Sequence, residues 1–145
     1  MAKVSRSALL MYSAQEMYQL VNDVNAYPEF LPGCSETNVL LDQVNLMKAS
    51  IKVSKAGISQ TFVTENTLVE GQSISMKLLE GPFKHLSGGW TFTALDEQAC
   101  KVSLDLEFEF SNSIVKLAFG RVFHELIGSM VKSFSNRAKT VYGTR

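Results

Sequence analysis

The last third of the chain constrains the fold most. At 100° per residue, Val115, Phe119, Val122, Phe123, Leu126, Ile127, Met130, Val131, Phe134 and Ala138 fall on one arc of roughly half the circumference of a helix running from Ser113 to Tyr142. A helix resting on one sheet needs an apolar stripe of about 100° or somewhat more. The surplus predicts a helix gripped by a concave sheet, with a hydrophobic cavity closed between them.

The preceding residues supply that sheet. Val4 to Tyr12 reads as a first strand, and Ser13 with Glu16 makes a capping box for a short helix to about Asn22. The prolines in Tyr27-Pro28-Glu29-Phe30-Leu31-Pro32-Gly33 then break that helix and allow at most a brief helical turn before the sheet resumes. From there the period is two. Met47, Ala49, Ile51 and Val53 alternate with lysines and serines, as do Ile74, Met76 and Leu78; Cys100, Val102, Leu104, Leu106, Phe108 and Phe110 alternate with charged residues and a serine. One wet face per strand marks an antiparallel sheet covered on one side. Turns are expected at Lys55-Ala56-Gly57, Glu70-Gly71-Gln72 and Asp96-Glu97-Gln98. The expected fold class is α+β: one strand, one or two short helices, about six strands and a long helix, in a single domain over residues 1–145.

Charge narrows the function. Lysine plus arginine equals aspartate plus glutamate at 14 each, which argues against a general binder of nucleic acid, DNA included, or of acidic substrates. The distribution is uneven: Lys116, Arg121, Lys132, Arg137, Lys139 and Arg145 face only Glu125 in residues 111–145, so positive charge gathers on the final helix. Arg121, Lys132 and Lys139 share one stripe opposite the apolar arc, either as a solvated face or as a surface for RNA phosphates or anionic lipid. Cys34 and Cys100 lie far apart without metal or redox spacing and read as free thiols of a reducing compartment. The start lacks the apolar run of a signal peptide, and no stretch approaches a membrane span. A cytoplasmic protein with at most peripheral membrane contact is expected.

Catalytic patterns are missing. No GxSxG, Walker A, GxGxxG or HExxH occurs, and His85 and His124 have no ligand-spaced partner, so no metal and no catalytic residue is expected. His85, placed in a loop, is the best remaining proton donor. Gly88-Gly89 reads as a bulge at the start of a strand. Gln60, Thr64 and Asn66 share the apolar face with Ile58, Phe62 and Leu68, and a concave apolar pocket with a few hydrogen-bonding groups suits a neutral lipid-like ligand. A filled core with satisfied polar groups would show the same pattern. In the ligand reading, Tyr27, Phe30, Phe83 and Trp90 shape the mouth, two of them on loops at Tyr27–Pro32 and one on Gly81–Leu86. Phe62, Met76 and Phe92 form the sheet wall, and Phe123, Leu126, Ile127 and Met130 the helix wall.

The segments Tyr27-Pro28-Glu29-Phe30-Leu31-Pro32 and Gly81-Pro82-Phe83-Lys84-His85-Leu86, with Trp90, Phe92, Phe108-Glu109-Phe110, Met130-Val131, Phe134, Arg137-Ala138 and Tyr142-Gly143, resemble the START-like polyketide cyclase and coenzyme-Q-binding family. Gly33 departs from it, standing where relatives often place a tryptophan. The resemblance implies the helix-grip fold over nearly the whole chain. For compact bacterial members it implies two activities: non-enzymatic carriage of ubiquinone, bound as a ligand rather than a cofactor, and binding of a toxin to the large ribosomal subunit, which blocks subunit joining. The cyclase name implies an enzyme, against which the lack of inward acid/base pairs speaks.

Overall fold

The computed structural model describes residues 1–145. Seven strands, β1 (Ala2–Leu10), β2 (Cys34–Asp42), β3 (Leu46–Lys55), β4 (Ile58–Val69), β5 (Ser73–Glu80), β6 (Phe83–Asp96) and β7 (Ala99–Phe110), pair antiparallel in the order β1-β7-β6-β5-β4-β3-β2. Strands β2 to β7 form a meander, and β1 closes the far edge against β7. Helix α1 (Ala14–Asn22) and a 3₁₀ turn (Val24–Glu29) carry the chain from the β1 edge to the β2 edge, and α2 (Ser113–Tyr142) follows β7. The α+β helix-grip architecture read from the sequence is the one observed.

Local chemistry sets these elements. In β7, Cys100, Val102, Leu104, Leu106, Phe108 and Phe110 are buried while Lys101, Asp105 and Glu109 stay exposed, the period-two pattern of a sheet wet on one side. Along α2 the apolar arc is buried from Phe119 onward, and only Val115 at its start is half-exposed. Each fully buried large side chain there, such as Phe123 or Phe134, contributes roughly 1.5–3 kcal/mol of hydrophobic stabilisation. Asn112 caps α2 by accepting from the Val115 amide at 2.9 Å, and Gly143, at φ 85°, ends it with its N–H donating to the Lys139 carbonyl.

Three local expectations are corrected. The first strand runs Ala2–Leu10, two residues earlier than read, because the chain bends at residues 11–12 to place Ser13 as the cap of α1. Residues from Phe83 onward are strand, not loop, because Phe83 pairs with Phe110 and extends β6. Gly88 and Gly89 make no bulge: pairing is unbroken from Leu86↔Phe108 to Trp90↔Leu104 and from Ser75↔Gly89 to Met76↔Gly88. They are glycines because β5 and β7 approach too closely for side chains. A Cβ on Gly88 would meet the Asp105 carbonyl and lie 2.9 Å from Leu106 Cα, and one on Gly89 would meet the Ile74 carbonyl.

The end of α2 is fastened to α1. Arg145 donates to both carboxylate oxygens of Glu16 at 2.6 and 2.8 Å and lies over the Tyr12 ring. Tyr142 Oη donates to the Glu16 carbonyl, and Tyr12 Oη to the Gly143 carbonyl. The Arg145 hydrogen bonds, followed by the Ser13 amide, hold the Glu16 carboxyl down at about 2. A depressed carboxyl pKa stabilises the fold above its unfolded value, 4.5, and that contribution is lost as pH falls toward 2. Arg145→Ala is therefore expected to lower the unfolding midpoint at pH 7, and the gap from wild type should close between about pH 4.5 and pH 2 in a thermal-melt series.

Candidate functional site

Between the concave face of the sheet and α2 lies a narrow cavity in two lobes of about 40 and 30 Å³. Tyr27, Ile51, Thr64, Met76 and Met130 border both lobes and form the neck between them. The larger lobe is walled by Phe62, Leu86 and Leu106 from the sheet, Phe123, Leu126 and Ile127 from α2, Leu31 from the turn before β2 and Cys34 from the start of β2. Thr64 is its one polar residue. The smaller lobe lies toward α1 and is bordered by Val21, Asn22, Ala49, Asn66, Ile74 and Trp90. Ligand pockets commonly span about 300–1,000 Å³, so a ligand of any size must push the lobes open. The residues at the neck suit that motion, because Met76 and Met130 are unbranched and change rotamer easily.

The expected ligand residues fall into three groups. Tyr27, Phe62, Met76, Phe123, Leu126, Ile127 and Met130 line the larger lobe, and Trp90 lines the smaller one. Tyr27 and Trp90 are interior rather than at a mouth, at 5% and 2% exposed. The Tyr27 hydroxyl donates to the Val21 carbonyl, and burial pushes its pKa upward. Phe30 borders neither lobe: it is half-buried, edge-on to Phe134 at 5.1 Å, with the Arg137 guanidinium over its ring.

Phe83 and Phe92 do not reach the cavity. Phe83 is the hub of an aromatic plug with Phe62, Phe108, Phe110, Phe119 and Phe123, its ring centroid 4.9 Å from that of Phe123. The plug forms because β6 begins at Phe83 and turns that ring under α2. Phe92 packs under α1, edge-on to Tyr18 at 5.9 Å and stacked on Trp90.

Of the inward polar trio, Thr64 and Asn66 are buried at 3% and 5% exposed, whereas Gln60 is half-buried and borders neither lobe. Asn22 was not legible from sequence, since the last residue of a short helix carries no signal of which way it faces. Leu31, Cys34 and Ile51 were also missed as lining, because their place depends on how β2 meets the 3₁₀ turn.

The cavity holds no acid/base pair. Burial raises the Cys34 thiol to about 11, so it stays protonated and unreactive at neutral pH. His85 sits on the outer face of β6, its Nε2 2.9 Å from Ser87 Oγ, while Leu86 points inward. No group of three metal-ligating side chains comes together. What the arrangement can do is enclose an apolar molecule.

The outer face of α2 is different. Arg121, Lys132 and Lys139 are all exposed. Arg121 and Lys55 share Glu125 at 3.4 and 2.6 Å, whereas Lys132 and Lys139 pair with no carboxylate. Lys55 hydrogen-bonding holds the Glu125 carboxyl below its usual range, keeping it anionic.

A concave sheet gripping a long helix around an apolar cavity defines a helix-grip protein of the START class, and the chain belongs to the family described as polyketide cyclase / dehydrase and lipid transport, whose model matches residues 10–135. Relatives named ribosome association toxin RatA are similar over nearly all of their lengths. The Vibrio cholerae protein is 60% identical over 99% of both chains, and the Escherichia coli K12 protein 54% identical over 100% of this chain and 92% of its own. More distant is the mitochondrial coenzyme Q-binding protein COQ10 homolog B of Xenopus laevis, 26% identical over 96% of this chain and 59% of its own. Among solved structures, a START superfamily protein from Mycobacterium smegmatis is 20% identical with a TM-score of 0.77, covering 96% of this chain and 98% of its own. The Zhui aromatase/cyclase from Streptomyces sp. R1128 is 18% identical with a TM-score of 0.75, covering 93% and 89%. At such identities these structures share the fold alone. The close relatives carry names of toxins, not of enzymes.

Proposed function

We propose that this chain is a non-enzymatic, cytoplasmic protein that associates with the ribosome and inhibits translation, docking on the large subunit through the basic outer face of α2 and so hindering subunit joining. The observation that carries this reading is the 60% identity, over 99% of both chains, to a relative named for ribosome association. The sequence alone, through its broad apolar arc and inward polar residues, puts the quinone carrier first and the ribosome-binding toxin second; this identity reverses that order. Supporting it, Lys132 and Lys139 stand free of carboxylates on a face that the core does not use. No helix is long and apolar enough to cross a membrane. The purified protein, added to a cell-free translation reaction, is expected to shift ribosomes on a sucrose gradient from joined particles to free subunits. An unchanged gradient at saturating protein contradicts the reading.

A second reading is supported by the cavity and by the coenzyme-Q-binding relative: a neutral quinone-like molecule, ubiquinone among the candidates, held between sheet and α2. Organic extraction of natively purified protein followed by mass spectrometry is expected to release a quinone in near-stoichiometric amount. Protein that is empty and takes up no added short-chain quinone contradicts it.

Met130→Trp separates a usable cavity from a filled core. Met130 borders both lobes, so the added ring is accommodated only if the neck opens as it must for a ligand. The substitution is expected to block uptake of a quinone while changing stability by less than about 1 kcal/mol. Overpacking of a filled core costs about 1–3 kcal/mol instead, and thermal unfolding reads the difference.

A further inference from the structure

Strand β1 gives one inward position to a charge. Ala2, Val4, Ala8 and Leu10 pair with inward residues of β7, and so does Arg6, in register with the fully buried Leu104. At this edge of the sheet the Arg6 guanidinium runs out beside α2. It is exposed, donates to the Ser5 carbonyl at 3.0 Å and pairs with no carboxylate. Where it reaches the helix stands Gly128. A Cβ on Gly128 would meet the Arg6 guanidinium at 3.8 Å, and no other side chain or strand lies within 4 Å. Glycine inside a helix is destabilising relative to alanine, and here packing does not require it. Gly120, the other glycine of α2, is buried, and a Cβ on it would lie 3.5 Å from the Phe110 ring.

At 100° per residue, Gly128 falls within about 40° of Arg121, Lys132 and Lys139, so the missing side chain is a clearing in the basic stripe. Side chains on a helix lean toward its N-terminus, and Lys132, exposed one turn further on, therefore leans over Gly128. The nearby carboxylate of Glu125 is already neutralised by Lys55 at 2.6 Å and Arg121 at 3.4 Å. We propose that Arg6, Gly128 and Lys132 form a phosphate notch on the docking face. The sugar–phosphate backbone of ribosomal RNA lies against the bare helix, and the two cations clamp one phosphate from either side. This rests on the ribosome reading and adds to it the class of partner, RNA rather than ribosomal protein, and two residues outside the lysines and arginine of the stripe. A carboxylate of a protein partner stands at the end of a flexible side chain and reaches a surface cation without a clearing. A phosphodiester is flanked by sugars on both sides, so it comes close to the helix only where a side chain is missing. The planar fork of arginine matches two phosphate oxygens at once.

Thermal unfolding and co-sedimentation with isolated large subunits near 0.1 M salt test the notch in the full chain and in Gly128→Ala, Gly128→Leu and Arg6→Gln. Gly128→Ala should raise the unfolding midpoint. A lowered midpoint means that the glycine serves packing against β1 and overturns the notch. Gly128→Leu keeps every charge and should hold the wild-type midpoint, yet its affinity should fall at least about tenfold as the side chain fills the clearing. Arg6→Gln should lose about tenfold, the worth of one charge-assisted hydrogen bond. Hydroxyl-radical probing of the RNA in the complex should show a stretch of backbone that the wild type protects and Gly128→Leu leaves open. A complex that forms without protecting RNA means that this face meets ribosomal protein, which overturns the RNA assignment. Wild-type affinity in Gly128→Leu or in Arg6→Gln overturns the notch and leaves the ribosome reading standing. Wild-type protein that does not bind the subunit overturns both.

Discussion

Reversing the three outward cations of α2 together, Arg121→Glu, Lys132→Glu and Lys139→Glu, is expected to weaken association with the large ribosomal subunit by about a hundredfold or more near 0.1 M salt. Each phosphate contact contributes close to a factor of ten under those conditions through counterion release, and a carboxylate in its place repels the backbone. The fold should survive, because all three side chains are exposed and α2 is held by the opposite arc. The substitution at Arg121 also removes one cation from Glu125, which keeps Lys55 at 2.6 Å. A matched control reverses Lys3, Lys77 and Lys101, which are equally exposed on the outer face of the sheet. The control is expected to retain affinity within a few-fold, so that a drop common to both triple variants would reflect net charge rather than docking. Co-sedimentation of each variant with isolated large subunits gives the comparison.

The largest effect on stability is expected at Gly88. Gly88→Ala puts a methyl group against the Asp105 carbonyl and 2.9 Å from Leu106 Cα, and Gly88 also has φ 135°, a conformation that side-chain-bearing residues rarely adopt. The obstacle is the backbone of β7, held between β1 and β6, whose residues Leu104 and Leu106 flanking Asp105 are buried, so no side chain can swing aside. Overpacking and backbone strain each cost about 1–3 kcal/mol, and their sum, about 3 kcal/mol or more, threatens a domain of ordinary stability. Chemical denaturation should show the midpoint falling by most of its wild-type value, or little folded protein at all. An alanine variant as stable as wild type would mean that β5, β6 and β7 are not as closely set as described.

Much of this fold was legible because two periodicities are unbroken in the sequence. The burial of β7 and α2 follows directly from residues 100–110 and 115–138, where sheet and helix are amphipathic throughout. The capping box at Ser13 and Glu16 was readable for the same reason, since both hydrogen bonds are local to the sequence. Strand β2 was not, because pairing irregularities near Cys34 and Val39 break its alternation. The inward helix wall of the site was found from the arc, and Thr64 and Asn66 from the register of β4. The mouth was misread at Phe83, which follows Gly81 and Pro82 and so resembles a loop residue, while pairing with Phe110 of β7 makes it strand. Cavity size was beyond the sequence: whether Met76 and Met130 leave 40 Å³ or none depends on the packing of several elements at once. Function was divided in the same way, since the apolar arc pointed to a ligand and the opposite stripe to a ribosome, and the similarity of the full chain to proteins named for ribosome association gave the second precedence.

The central claim, that the chain docks on the large ribosomal subunit through the cations of α2, is tested most directly by co-sedimentation of the wild-type protein with isolated large subunits across a salt series. If Arg121, Lys132 and Lys139 each neutralise one phosphate, the logarithm of the affinity should fall linearly with the logarithm of salt concentration, with a slope of about −2 to −3. Protein that stays in the supernatant even at low salt, or that pellets with an affinity indifferent to salt, would contradict the account.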